Sequence, residues 1–343
     1  MTALPIEVPR RLQGTSDVIN AYNICLRIEN TLQVAVDKGE GVGKNVIYIR
    51  ILGYLLHHAP SDQGVQHVVN EIVSAEGDFA LLEVGKNYFN HYIRPFLVNR
   101  SRILRSSYEE SPPSFDTISE MTNRTFVASP QSHAAAKSNA LIRDGYRCVV
   151  TKEYDLKSIR NNLELEQLAA MNPKLYPTTY TQCTHIFSES INYKISKDEK
   201  LGDAAKFWTI MEHFGYTSLP SDLNGPNIHR SENVITLGAE VHMRFDDLEL
   251  WFVATPTREL SGICRIHDLR PPVNLPVPSP TYLEIHAACA KIGHLSGATE
   301  YIDRFYGEVE GSTVLAPDGA SASLLEDAIF ELQARAYQRA IIE

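Results

Sequence analysis

Three residues in chain order have the types and spacing for hydrolytic chemistry: His185, Asn233 and His242. His185 ends the apolar stretch Cys183-Thr184-His185-Ile186. Asn233 opens Asn233-Val-Ile-Thr-Leu-Gly-Ala-Glu-Val-His242, which continues into Met-Arg-Phe245-Asp246. A phosphodiester resists attack because its anionic oxygens repel nucleophiles. Hydrolysis therefore needs a base to generate hydroxide and a cation to neutralise charge on the phosphate and on the leaving oxygen. Histidine serves the first task because it titrates near neutrality. A few rigid ligands that leave coordination positions open serve the second.

Such residues need a platform. Alternation along a strand over Gln182–Phe187 places His185 on one face with Cys183 and Phe187. The eight residues between Asn233 and His242 suffice for one short strand, a turn and the first turn of a helix. On that helix His242 stands one turn before Asp246 and three residues before Phe245, which is expected to pack beneath the hairpin. Cys183 and Asp246 are further candidate metal ligands.

Amphipathic spacing predicts a helix over 15–37 on Val18, Ile19, Tyr22, Cys25, Ile28 and Leu32, capped by Ser16 or Asp17. Helices are also expected over 45–58 and over 64–105, the latter broken at Pro95. Residues 108–135, with Pro112-Pro113, read as a linker or surface loop. From 137 onward the chain reads as a short helix, a turn at Asp144-Gly145 and a strand at Arg147–Val150. A strand over 180–187 follows, then a helix over 202–215 with Trp208, Ile210, Met211 and Phe214 inward and Gly215 as its C-cap. Residues 221–233 are loop, Val234–Leu237 strand and 239–248 helix. Strands at Leu250–Thr255 and Ile263–His267, a proline-rich connection at 271–280, and helices over 281–294 and 322–341 complete the chain.

With these elements placed, the segment from about 137 to 255 resembles the HNH endonuclease superfamily, and more narrowly the HNH domains of fungal proteins. The likeness rests on Arg143-Asp144-Gly145-Tyr146-Arg147-Cys148-Val149-Val150-Thr151, on His185-Ile186, and on Trp208 with Gly215. It is completed by Asn227 ahead of Asn233-x-Ile235-x-Leu237 and by His242-x-x-Phe245-Asp246. Residues 87–96 and 286–303 resemble segments that accompany such domains, without carrying chemistry. The resemblance implies a ββα-metal fold in which His185 is the general base and His242 a metal ligand. Asn233 either pins the hairpin or contributes to the metal site. The implied cofactor is a divalent cation, Mg²⁺ or Mn²⁺, with Zn²⁺ a third candidate. The implied partner is DNA. Two departures stand out. Thr184 occupies the position before the base where many members carry Asp or His, and Lys152 stands where a glycine is usual.

The expected fold is thus α+β. Residues 1–130 form a helical region with a linker, 131–275 the HNH-like ββα module, and 276–343 C-terminal helices that pack on the core. Two other functions fit the same residues: an enzyme on a small molecule enclosed by the flanking helices, and a catalytically silent binding protein.

The remaining signals bound these readings. The chain of 343 residues is 43% hydrophobic and 22% charged, which is ordinary globular composition. No apolar run of spanning length and no secretory h-region occurs, so neither membrane contact nor export is expected. The sequons at Asn99 and Asn123 are then chance matches. Five scattered cysteines without a CxxC pair point to a reduced intracellular compartment, cytoplasm or nucleus. Cys148 and Cys183 read as buried thiols rather than a zinc pair. The net charge of -10 argues against a general grip on nucleic acid, although a local basic groove stays open. Arg94, Arg100, Arg102 and Arg105, beside Tyr88, Tyr92 and Phe96, form the densest basic run and are the candidate phosphate contacts. The Gly39–Asn45 segment is one residue short of a phosphate-binding loop and reads as an inter-helix loop.

Overall fold

A computed structural model describes residues 2–8, 16–97, 130–171, 174, 176–192, 203–254 and 275–311. Residues 108–129 of the expected linker 108–135, the strand at 263–267, the helix at 322–341, Asn99, Asn123, Arg100, Arg102, Arg105 and Cys264 lie outside these residues, while the linker's described end is already helix from His133. The described chain is α+β: mostly helical, with a small sheet in the HNH-like region. It divides into two compact units that do not follow sequence order. One comprises Met1–Pro95, Tyr193–Thr217 and Ala288–Glu343, the other Phe96–Asn192 and Ser218–Ala287.

The first unit is helical, with helices Ser16–Asp37, Gly43–His58, Asp62–Ser74, Asp78–Tyr88, Asp203–His213 and Ala298–Gly311. Every residue from Val46 to Leu56 is buried, so Gly43–His58 is apolar all round and fills the centre. The one charge there, Arg50, is paired with buried Glu29, which also accepts the Leu4 N–H. Of the expected inter-helix loop Gly39–Asn45, Gly39–Val42 links two helices and Gly43–Asn45 is already the start of the second. Helix Asp203–His213 buries Trp208, Ile210, Met211 and Phe214. It ends where Gly215, at φ 91°, lets Gly215 N–H reach Glu212 O and Tyr216 N–H reach Met211 O.

Pro95 does not stop its helix. The chain widens one turn earlier, over Phe89–Ile93, where the Arg94 N–H donates to Phe89 O five residues back. A wider turn accommodates the ring and the missing donor that would otherwise break the ladder. This turn also corrects the expectation for Arg94. Its side chain is only 2% exposed, with the guanidinium over the rings of Phe89 (5.3 Å) and Phe305 (5.7 Å). It is a core cation, not a surface phosphate contact.

The second unit carries the sheet. Strand β1 (Tyr154–Asp155) pairs in parallel with β2 (Thr178–Thr179), and β3 (Thr181–His185) pairs antiparallel with β4 (Val234–Gly238). All five β4 residues are buried. Helix His133–Arg143 lies along β3 and β4. Its N-cap Ser132 accepts the Ala135 N–H, and Gly145 at φ 68° closes its other end with Tyr146 N–H on Leu141 O. Ala136 and Ala140, four apart on one face, pack against Cys183 and Val234.

The expected strand at Arg147–Val150 reduces to a single bridge, Arg147 to Tyr154, followed by a tight turn that returns Lys152 N–H to Cys148 O. Lys152 sits in that turn at φ 63°. This left-handed conformation, which only glycine adopts freely, accounts for the glycine usual there. Leu250–Ala254 is not a strand either.

Candidate active site

Two buried ionic devices fix the hairpin that carries the site. The Arg143 guanidinium chelates the adjacent Asp144 carboxylate (2.7 and 2.9 Å) and donates to Ser231 O and Val234 O (2.7 and 2.8 Å). Asp144 in turn accepts the Thr236 N–H at 3.0 Å. The Arg-Asp of the resembling motif is therefore the clasp that holds β4. Asp155 performs a similar duty for β3. One oxygen caps helix Leu156–Asn161 through Ser158 N–H, and the other accepts from Thr181 N–H and Oγ1.

Asn233 precedes β4 in a tight turn and is fully buried. Its Oδ1 accepts the Phe187 N–H (2.9 Å), and its Nδ2 donates to Phe187 O (2.9 Å) and Ile228 O (2.8 Å). Of the two roles open from sequence, pin or ligand, this geometry is that of a pin just beyond His185.

His185 ends β3 opposite Val234. It faces helix His133–Arg143, where the His133 ring lies 5.4 Å away, three residues before Ala136. Its Nε2 is 3.1 Å from Nδ1 of His229, in the turn Gly225–His229. Burial, reinforced by the neighbouring imidazoles of His133, His229 and His242, lowers the His185 pKa to about 3. His185 is thus neutral at physiological pH. His229 is shifted down as well, by burial first, opposed by Glu189, with His133 adding to the lowering. Glu189 Oε1 lies 3.8 Å from His229 Nδ1. His185, Glu189 and His229 offer ligand atoms all within 4.8 Å of one another.

His242 lies on helix Ala239–Asp246 and meets Asp246 across one turn, Nε2 to Oδ2 at 3.1 Å, both side chains part-exposed. Its Nδ1 faces Gln182 Oε1. Both nitrogens of His242 thus face oxygen acceptors. A neutral imidazole has one N–H and can serve only one of them. His242 Nε2 and Asp246 Oδ2 form a pair that could hold a small cation. Adjacent ligands on an octahedral cation with bonds near 2.1 Å stand about 3.0 Å apart, so the 3.1 Å separation fits a small divalent ion.

Asp246 and His185 line one recess, together with Phe96, Ile186, Ser188, Phe245 and His286. Its empty volume is about 240 Å³ including open solvent. Phe245 is buried and stacks face to face on His286, centroids 3.9 Å apart. Thr184 is fully buried, and its Oγ1 finds no hydrogen-bond partner among the described residues. The position before the base therefore offers no ligand to the recess. Cys183, considered above as a supplementary ligand, is corrected to a core residue by its packing on Ala136, Ala140 and Val234.

His185 and Asp246 thus line one recess, His242 bonds Asp246 and faces Gln182, and Asn233 pins the backbone beside His185. Sequence reasoning missed His133, Glu189 and His229. The last two stand four residues after His185 and four before Asn233, spacings that carry no helical or strand period in these loops.

Residues 148–253 match the family model described as HNH endonuclease, and the segment has a nuclease-type fold. No curated protein and no solved structure matches the chain.

Proposed function

We propose that the HNH domain carried at residues 148–253 hydrolyses nucleic-acid phosphodiesters, with His185 as general base and a divalent cation held by His242 and Asp246. The carrying observation is that His185 and Asp246 line one recess, Asp246 being bonded to His242. A cation such as Mg²⁺ or Mn²⁺ held there would neutralise charge on the scissile phosphate and the leaving oxygen. Gln182 orients His242 through Nδ1 and leaves Nε2 for the ion.

The chain's own residues set up the proton transfer. A base needs an unprotonated nitrogen; burial lowers the His185 pKa, which keeps that nitrogen free and makes it a weaker base than an ordinary imidazole. One hydrogen lies between His185 Nε2 and His229 Nδ1. When His185 holds it and donates to His229, the Nδ1 lone pair of His185 is left to accept a proton from water. In the other tautomer pair that lone pair is absent. His229 is therefore a positioning residue, and Asn233 fixes the backbone just beyond the base.

The enclosed part of the recess has room for about one water, far less than a small-molecule pocket. This favours a substrate laid across the surface over one enclosed by it.

The test is cleavage of plasmid DNA in Mg²⁺ or Mn²⁺ by wild type, His185→Ala and His242→Ala. Wild type should cut. His185→Ala should lose roughly 10²- to 10⁴-fold, the usual contribution of a general base. His242→Ala should lose activity that raised cation concentration partly restores. A wild type that cuts in neither cation, or a His185→Ala protein that cuts equally well, overturns the reading.

A further inference from the structure

We propose that His185 Nε2, His229 Nδ1 and the Glu189 carboxylate form a second cation site, selective for a borderline transition metal of the Zn²⁺ class, whose occupancy silences the hydrolase by taking its base. The silencing rests on the proposed role of His185; the site itself does not.

The geometry carries the site. His229 Nδ1 is 3.1 Å from His185 Nε2 and 3.8 Å from Glu189 Oε1, and all three ligand atoms fall within 4.8 Å. Tetrahedral ligands with bonds of 2.0–2.1 Å stand about 3.3–3.4 Å apart, between the two measured separations. Two imidazoles and one carboxylate suit zinc, whereas Mg²⁺ favours oxygen ligands and keeps its waters. The site differs in ligand type from the His242–Asp246 pair, whose 3.1 Å separation fits an octahedral ion. Glu189 is half exposed, which leaves an entry path and room for a water at the fourth position.

The coupling follows from tautomers. A metal on His185 Nε2 displaces the hydrogen from that atom, and neutral His185 must then carry it on Nδ1. The lone pair that would accept water's proton is gone. The same two nitrogens thus share a hydrogen in the active state and a metal in the silent one.

The test is calorimetric titration of the full chain with Zn²⁺, together with ¹⁵N spectra of the imidazoles. Wild type should bind zinc at a site where His185 and His229 ring nitrogens shift. Glu189→Ala and His229→Ala should weaken it roughly tenfold or more, since even an outer partner of a metal ligand is worth that much. His242→Ala should leave it intact. Glu189 is 51% exposed on its side chain, so its removal tests the site even if His229→Ala fails to fold. Zinc should suppress Mg²⁺-supported cleavage in wild type and far less in Glu189→Ala. Unchanged affinity in Glu189→Ala, or loss of the site in His242→Ala, overturns the proposal. Zinc bound as expected in a protein that cuts no DNA would sink the nuclease reading and keep the site.

Discussion

Arg143 and Asp144, consecutive in the chain, chelate one another with both side chains sealed from solvent. Between them they also hold Ser231 O, Val234 O and the Thr236 N–H. Cutting a buried pair by removing one partner strands the other charge, at about 3–5 kcal/mol. Asp144→Ala should therefore lower the denaturant midpoint sharply, with Arg143→Ala similar. A loss below 1 kcal/mol in urea unfolding would show that β4 is held by something else.

Asn233→Ala should act on stability rather than on cation affinity. It strands the Phe187 N–H and the carbonyls of Phe187 and Ile228 in a buried place. Buried groups left without partners cost about 1–3 kcal/mol each, so a loss of at least roughly 3 kcal/mol is expected from the three. Metal titration of whatever fraction folds should give a near-native dissociation constant. A large fall in affinity with stability intact would instead make Asn233 a ligand.

Thr184→Val should raise stability by roughly 1 kcal/mol, because it replaces a buried, unsatisfied hydroxyl with a methyl of the same shape. Thr184→Asp should destabilise and bring no gain in Mg²⁺ affinity, since that position is fully buried. Differential scanning calorimetry of both variants checks the pair.

Acid should loosen the second unit through His286. Burial lowers its pKa to about 3 from the ordinary 6.5, opposed only by its hydrogen bond to Phe245 O. The unfolded chain then binds the proton more readily between those values. The stabilising contribution is complete above pH 6.5 and is lost as pH falls toward 3. By pH 5 the loss is on the order of 2 kcal/mol, at about 1.4 kcal/mol per pH unit. Unfolding midpoints at pH 7 and 5 should converge in His286→Phe relative to wild type. Equal acid sensitivity in both would assign the effect elsewhere.

The parts of this fold legible in sequence were those with a strong local signature. The apolar runs at Gln182–Phe187 and Val234–Leu237 became β3 and β4 because a hairpin buried on one or both faces needs such residues. The helix ended by Gly215 was legible because its end requires a positive φ. Two-residue strands such as β1 and β2 leave no period to read. Arg94 looked like surface charge because basic residues cluster after it, and only packing shows its guanidinium over Phe89. His229 and Glu189 were invisible as a pair because their meeting depends on two irregular turns brought together by the Asn233 pin. The motif Arg143-Asp144 was visible as a motif, yet its duty as a clasp was not, since its partners lie about ninety residues downstream.

That clasp bears on how the module can be cut from its chain. The family boundary opens at Cys148, after Arg143 and Asp144 have passed, and closes at Val253, before His286 supplies the ring that lies on Phe245. A fragment trimmed to those limits would discard the charge that secures one strand and the aromatic lid over the helix bearing His242. Expression of the HNH module alone should begin upstream of Ser132 and extend through Ala287.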